Sequence, residues 1–178
     1  MKKILMAFIV FFGSMSSFAQ QKGTSPQNEI KFNVPMAIYG LPEVNYERIV
    51  EDNMGVGISL SIAVDKAYNY DTDKGIPERL IFCPYYRLYF GQKQAAGFYI
   101  EGNMAVAGQK ELNAPDFATG NKIPSNSTVG FGFGAAVGIK LLSKNDFTGD
   151  FYAGWGRLFG ENIYNGYPRL GICIGKRF

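Results

Sequence analysis

The side chains behind most hydrolytic and metal chemistry are missing from this chain. Its 178 residues contain no histidine, so neither a Ser-His-Asp nor a Cys-His nucleophile system nor a His-ligated zinc site can be assembled. Asn69-x-Asp71-x-Asp73 opens like a calcium loop, but Lys74 stands where the loop's glycine belongs and Leu80 where its bidentate glutamate belongs. A solvated loop rich in turn formers explains that spacing more simply. Gly130-x-Gly132-x-Gly134 lies inside an alternating run, not at a strand-to-helix turn, so its glycines read as close-packing sites and not as a nucleotide cradle. Two arrangements without histidine remain: a serine with Lys140, or the carboxylate pair Glu43 and Glu47. The carboxylates are better explained as partners for arginine. No catalytic residue, metal or cofactor is expected.

Composition fits one domain: 47% apolar, 15% aromatic and 19% charged residues, with 18 basic against 15 acidic and no basic block. Nucleic acid is therefore not an expected partner. The chain opens with Lys2-Lys3, an apolar run from Ile4 to Phe12, and small residues ending Ser17-Phe18-Ala19. This pattern predicts a cleaved secretory signal over 1–19, a short extension over 20–27 and a single domain over 28–178. Loss of Lys2 and Lys3 leaves 16 basic and 15 acidic residues, a nearly neutral exported chain. No later segment has the 18 consecutive apolar residues of a membrane helix.

Beyond the signal the period is two. Met54, Val56, Ile58, Leu60, Ile62 and Val64 alternate with Gly55, Gly57, Ser59, Ser61 and Ala63; Val129 to Ile139 alternate likewise with glycines and Ala136. Alternate side chains of a strand point to opposite faces, so each run has one greasy face and one small or polar face. Six further runs, Asn28–Tyr39, Glu43–Val50, Arg79–Phe90, Phe98–Ala107, Phe147–Arg157 and Tyr167–Phe178, bring the count to eight strands. Their second faces carry Lys31, Glu43, Glu47, Arg79, Arg87, Glu101, Lys140, Asp150, Arg169 and Arg177 among glycines and tyrosines. Such a face suits a narrow lumen, with the apolar face against lipid.

Loop lengths agree. Connections near Glu51–Asn53, Gly91–Gly97 and Leu142–Asp146 are short and fall on one side; those at Asp65–Glu78, Gly108–Asn126 and Leu158–Gly166 are longer and fall on the other, with Gly40–Pro42 a short exception. The expected fold is an all-β, eight-stranded antiparallel up-and-down transmembrane barrel with short periplasmic turns and longer outer loops. A lumen of that size is filled by side chains. Arg79, Arg87, Arg169 and Arg177 are expected to pair with Glu43, Glu47, Glu101 and Asp150, because an unpaired charge in a dry lumen costs several kcal/mol. Phe32, Phe90, Phe98, Phe147, Phe178, Trp155 and Phe159 are expected in interfacial girdles. Arg48 and Lys176 fall on the outward parity near the periplasmic ends, where long side chains can snorkel. Cys83 and Cys173, on opposite walls, are expected to be free thiols.

Tyr46-Glu47-Arg48, the strand Pro84-Tyr85-Tyr86-Arg87-Leu88-Tyr89-Phe90 with its short turn into Gly97-Phe98-Tyr99-Ile100-Glu101, and the terminal Phe178 give the chain its resemblance to small outer-membrane β-barrels. It resembles those of the OmpA, OmpX and OmpW kind and the Gram-negative barrel families of unknown function, over roughly 28–178. The resemblance implies an outer-membrane location and lipid as surroundings. It also implies that Phe178 is the signal read by the barrel-assembly machinery, although Lys176 departs from the apolar residue usual at that spacing. It supplies no catalytic residue; lipid A deacylases and palmitoyl transferases of similar size rely on a histidine. Three roles stay open: a structural or surface-interaction barrel acting through the loops around Tyr68–Ile76 and Leu112–Ser125; a narrow conduit for small or apolar solutes; and a secreted, soluble, lipocalin-like ligand-binding barrel, which requires the opposite parity throughout.

Overall fold

The alternation is realised face by face. In the strand Met54–Ile62, Ile58, Leu60 and Ile62 are exposed while Gly55, Ser59 and Ser61 are buried. The computed structural model describes residues 26–64, 78–110, 127–160 and 164–178. Its strands are β1 (Asn28–Asn33), β2 (Glu43–Glu51), β3 (Met54–Ile62), β4 (Glu78–Tyr89), β5 (Gly97–Lys110), β6 (Ser127–Leu142), β7 (Phe147–Phe159) and β8 (Gly166–Arg177). Neighbours in sequence pair antiparallel and β8 pairs back onto β1, closing an eight-stranded barrel. The expected signal over 1–19, most of the extension over 20–27, the acidic run Asn69–Asp73 and the loops around Tyr68–Ile76 and Leu112–Ser125 lie outside the described residues.

Closure leaves only an inside and an outside, and the large apolar residues are outside. Ile30, Leu60, Ile100, Phe133, Phe151 and Leu170 are all exposed on the outer wall. The soluble lipocalin-like reading required these to line an interior pocket and the ionic residues to meet water. The observed parity is the reverse, and that reading is corrected.

The two ends of the barrel differ. The turn end carries Asn28 and Phe178 and the tight β2–β3, β4–β5 and β6–β7 connections. There the β4–β5 turn folds back across the mouth. The Ala95 N–H donates to the Asp52 carbonyl, and Arg177 donates from Nη1 to the Gln94 carbonyl and from Nη2 to the Ala95 carbonyl. Ala95 is fully buried, with a left-handed φ of 43°.

At the opposite, loop end the structure departs from the expected strand Asn28–Tyr39. β1 stops after six residues at Asn33, and Val34–Tyr39 forms a short helix, α1. Pro35 is the cause: it has no N–H for a strand ladder, whereas its fixed φ suits the first turn of a helix. Gly40, at φ 95°, ends α1, its N–H donating to the Ala37 carbonyl while the Leu41 N–H donates to Met36. The β1–β2 connection is therefore the whole of Val34–Pro42, not the short Gly40–Pro42, and it turns Leu41 into the lumen, where it is buried against Ile81, Cys83 and Leu158.

Glycines make room for inward tyrosines. Tyr85 lies against Gly57, Tyr99 against Gly138, Tyr152 against Gly171 and Tyr167 against Gly156, each pair on adjacent strands. A β-carbon at Gly57 would fall within the Tyr85 phenol, whereas one at Gly102, on the outer face, would meet nothing. Gly57→Ala is expected to lower barrel stability by about 1–3 kcal/mol through overpacking. Gly102→Ala should stay within about 0.5 kcal/mol. Urea titration of the liposome-embedded protein, followed by heat-modifiable gel mobility, separates the two; equal effects would contradict the tyrosine-on-glycine packing.

Candidate functional site

Inward parity delivers one ionisable side chain after another into the same enclosed column. Five cations, Lys31 on β1, Arg87 on β4, Lys140 on β6, and Arg169 and Arg177 on β8, meet five anions: Glu29 on β1, Glu43 and Glu47 on β2, Glu101 on β5 and Asp150 on β7. All ten are buried, and the column is neutral overall.

The signs alternate along the axis. At the turn end Arg177 Nη2 lies 2.7 Å from Glu29 Oε1. Glu29 also meets Lys140 at 2.8 Å and Lys31 at 3.2 Å. Glu47 is the hub, with Oε2 2.6 Å from Lys31 and 3.0 Å from Arg87, and Oε1 2.7 Å from Lys140. Asp150 Oδ2 bridges Arg87 at 2.6 Å and Lys31 at 3.1 Å. Glu101 passes the chain upward, 2.8 Å from Arg87 Nε through one oxygen and 2.9 Å from Arg169 Nε through the other. Glu43, 3.2 Å from Arg169, ends it below the apolar residues of the loop end.

Tyrosines fill the remaining valences. The Tyr85 and Tyr89 hydroxyls donate to Glu47, Tyr99 to Asp150 at 2.6 Å, and Tyr152 to Glu43 at 2.6 Å. The guanidinium of Arg87 lies over the rings of Tyr99 and Tyr85, at 4.3 and 4.5 Å, and that of Arg169 lies 4.6 Å over Tyr152. Lys140 Nζ sits 4.4 Å over Tyr89. Each carboxylate of the column faces a cation and each cation a carboxylate. That arrangement cross-links seven of the eight strands and blocks the axis; it leaves neither Glu43 nor Glu47 open as an acid–base pair and places Glu29 and Glu47, not a serine, at the Lys140 ammonium.

Of the sequence-identified lumen residues, the structure brings together Lys31, Glu43, Glu47, Arg87, Glu101, Lys140, Asp150, Arg169 and Arg177. Arg79 stands apart from them, half-buried at the loop end of β4, where the register slips between Glu78 and Leu80. The expected pairing also changes at Arg177, whose carboxylate is Glu29. Glu29 shares the inward parity of Lys31 and Asn33, and that was the signal available in the sequence. Cys83 and Cys173 are both free and buried, one among the loop-end apolar residues and the other among Ile49, Tyr89 and Tyr152. Phe178 is exposed, and its backbone closes the seam: its N–H donates to the Asn28 carbonyl at 2.7 Å and its carbonyl accepts from the Asn28 N–H at 3.0 Å. On the outer wall nearby, Lys176 Nζ lies 5.6 Å over the Phe147 ring.

Glu47→Gln strips compensation from three buried cations at once, and is expected to cost about 3–5 kcal/mol, the range for breaking a buried pair. The double variant Glu47→Gln/Lys140→Met removes one charge of each sign and should recover part of that loss. Unfolding in urea from lipid vesicles measures both; a double variant worse than the sum of its singles would contradict charge balance as the organising rule.

No protein-family model matches the chain, and no curated protein matches it. Among solved structures it is similar to the N-terminal β-barrel domain of OprF from Pseudomonas aeruginosa, with 14% identity, 89% of this chain and 100% of that chain covered, and a TM-score of 0.49.

Proposed function

We propose that the chain is an integral outer-membrane barrel whose lumen is a rigid internal support, and whose work is done by its loop-end connections, around Tyr68–Ile76 and Leu112–Ser125, against a surface partner. One observation carries the membrane half of this reading: bulky apolar side chains are exposed on every strand around the circumference while the charges are enclosed. A water-soluble monomer rarely exposes contiguous apolar area beyond a few hundred Å², whereas a bilayer-spanning barrel needs an apolar band about 25 Å tall on its outside. Phe90, Phe98, Phe147 and Phe178 at the turn end and Trp155 and Phe159 toward the loop end are all exposed, in the positions of two aromatic girdles. Arg48, outward on β2, lies within a few residues of the turn end, where a guanidinium reaches the headgroups.

The surface role rests on the contrast between a locked wall and long connections: residues 63–77 lead from β3 into β4, and residues 111–126 join β5 and β6, with β4, β5 and β6 all held by the ion column, and loops on a rigid scaffold are where binding sits. An axial conduit has the ion column against it, since a solute on that path would have to part buried, mutually neutralising charges.

Alkaline carbonate extraction and planar-bilayer recording test the reading together. The protein is expected to stay in the membrane pellet and to give no conductance steps. Release into the supernatant would overturn the membrane assignment, and steady channels from purified protein would overturn the sealed lumen.

A further inference from the structure

The outer wall is not uniformly bulky. Tyr86, Gly102, Ala135 and Trp155 stand in one row of opposed residues across β4 to β7. Ile100, Val137 and Ala153 stand in the next row toward the turn end, and Phe133 and Arg157 in the next toward the loop end. Small residues interrupt this face: Gly102 and Ala135 are directly opposed, and Ala153 is the diagonal neighbour of Ala135. They floor an apolar groove of about 450 Å³ on the outside of the barrel, walled by Tyr86, Ile100 and Val137. Even a β-carbon at Gly102 would meet nothing within 4 Å there.

The groove has a charge at its loop-end edge. Arg157, outward on β7 and exposed, is opposite Phe133 and diagonal to Ala135, one row from the groove floor. Its guanidinium leans over the ring of Phe159, the next outward residue toward the loop end, at 5.9 Å. From Phe147 to Arg157 the strand climbs about 25 Å, at about 3.3 Å a residue and a tilt of about 40°, which is the height of the whole apolar band. The guanidinium is therefore at headgroup level, and the groove lies just beneath it in hydrocarbon.

This wall offers Arg157 no anion. The outward positions of β5 to β8 carry Lys110, Arg157 and Lys176 and no carboxylate, because Glu101 and Asp150, the acids of these four strands, are both enclosed in the lumen. An anion that meets Arg157 from the side has to come from the lipid.

We propose that this face holds one phosphorylated acyl glycolipid of the leaflet at the loop end, with its phosphate on the Arg157 guanidinium and one acyl chain in the groove. Each half of the site selects. The planar guanidinium presents paired N–H donors that match phosphate oxygens. A zwitterionic headgroup would bring an ammonium beside its phosphate, and the wall has only further cations to set against it; a phosphorylated sugar brings none. An acyl chain laid over Gly102, Ala135 and Ala153 gains contacts on a surface that is otherwise left without them.

The inference rests on the barrel spanning a bilayer with its loops at the surface, and its test keeps the two apart. The protein is reconstituted in phosphatidylcholine vesicles doped with a monophosphorylated acyl disaccharide and checked for carbonate resistance. It is then released in mild detergent and weighed by native mass spectrometry. Expected is one glycolipid retained per barrel, and none when the dephosphorylated disaccharide replaces it. Arg157→Gln should lower the retained fraction about tenfold, through loss of a charge-assisted contact, whereas Arg157→Lys should keep most of it. Gly102→Leu, which fills the groove from outside and leaves the headgroup contact, should lower retention several-fold. Lys176→Gln, at the turn end of the same wall, should leave it unchanged. All variants are compared at equal heat-modifiable mobility, so that lost retention is not lost folding. Equal retention of the two disaccharides, or equal retention by wild type and Arg157→Gln, would overturn the phosphate contact and the site with it. Indifference to Gly102→Leu would overturn the groove as the seat of the chain. Release of the wild-type protein by carbonate would instead fail the membrane reading itself.

Discussion

A sheet that closes on itself at eight strands has only an inside and an outside, and its inside is too narrow for bulk water. Every second residue of every strand must be accommodated there, whatever its chemistry. In this chain the second residues are lysines, arginines, glutamates, tyrosines and glycines, so the interior is viable only because its charges neutralise one another. Lys31, Arg87, Lys140, Arg169 and Arg177 are matched by Glu29, Glu43, Glu47, Glu101 and Asp150 in an alternating column. Glycines at Gly57, Gly138, Gly156 and Gly171 give the tyrosines that serve those charges somewhere to lie. The outside follows from the same parity: once the ionic residues are enclosed, the bulky apolar ones have nowhere to face but outward.

The column does not extend the full height of the lumen. Toward the loop end the inward positions hold no ion pair of the column and turn to Ile81, Cys83, Ala105, Ala107 and Leu158 beside the buried Ser59, Ser61 and Gln109, and here the wall changes as well, from the strand β1 to the helix α1. The two changes belong together. Along the seam between β1 and β8, Pro168 has no N–H to place, the Leu170 carbonyl accepts from the Asn33 side-chain amide, and α1 lies beside β8.

Much of this was legible from residues alone, and the parts that were not have identifiable causes. The parity of β3 and β6 is written in long unbroken alternations, so the barrel, its orientation and nine members of the column could be read directly. Apart from the directly opposed pairs Arg87–Glu101 and Arg177–Glu29, the partners within the column could not, because they meet across the lumen: Lys31 and Asp150 are 119 positions apart, and nothing local couples them. Glu29 has the inward parity but stands at the very start of β1, one residue after Asn28, where the alternation has barely begun. α1 was hidden because Val34, Met36 and Ile38 continue the two-residue pattern through it; Pro35 was the one contrary mark. Arg79 shares the odd-numbered parity of Arg87, but a register slip near the end of β4 leaves no trace in composition.

The central claim is that the large side chains of each strand look at acyl tails and the ionic ones are shut away. Nitroxide labels placed one at a time along β6, from Val129 to Leu141, in liposomes would read it most directly, through their relative collision rates with oxygen and with a water-soluble nickel chelate. The account predicts a period of two, with oxygen-rich, nickel-poor environments at Val129, Phe131, Phe133, Ala135, Val137 and Ile139 and low accessibility to both reagents between them. Nickel accessibility along the odd-numbered positions, or no period at all, would contradict it.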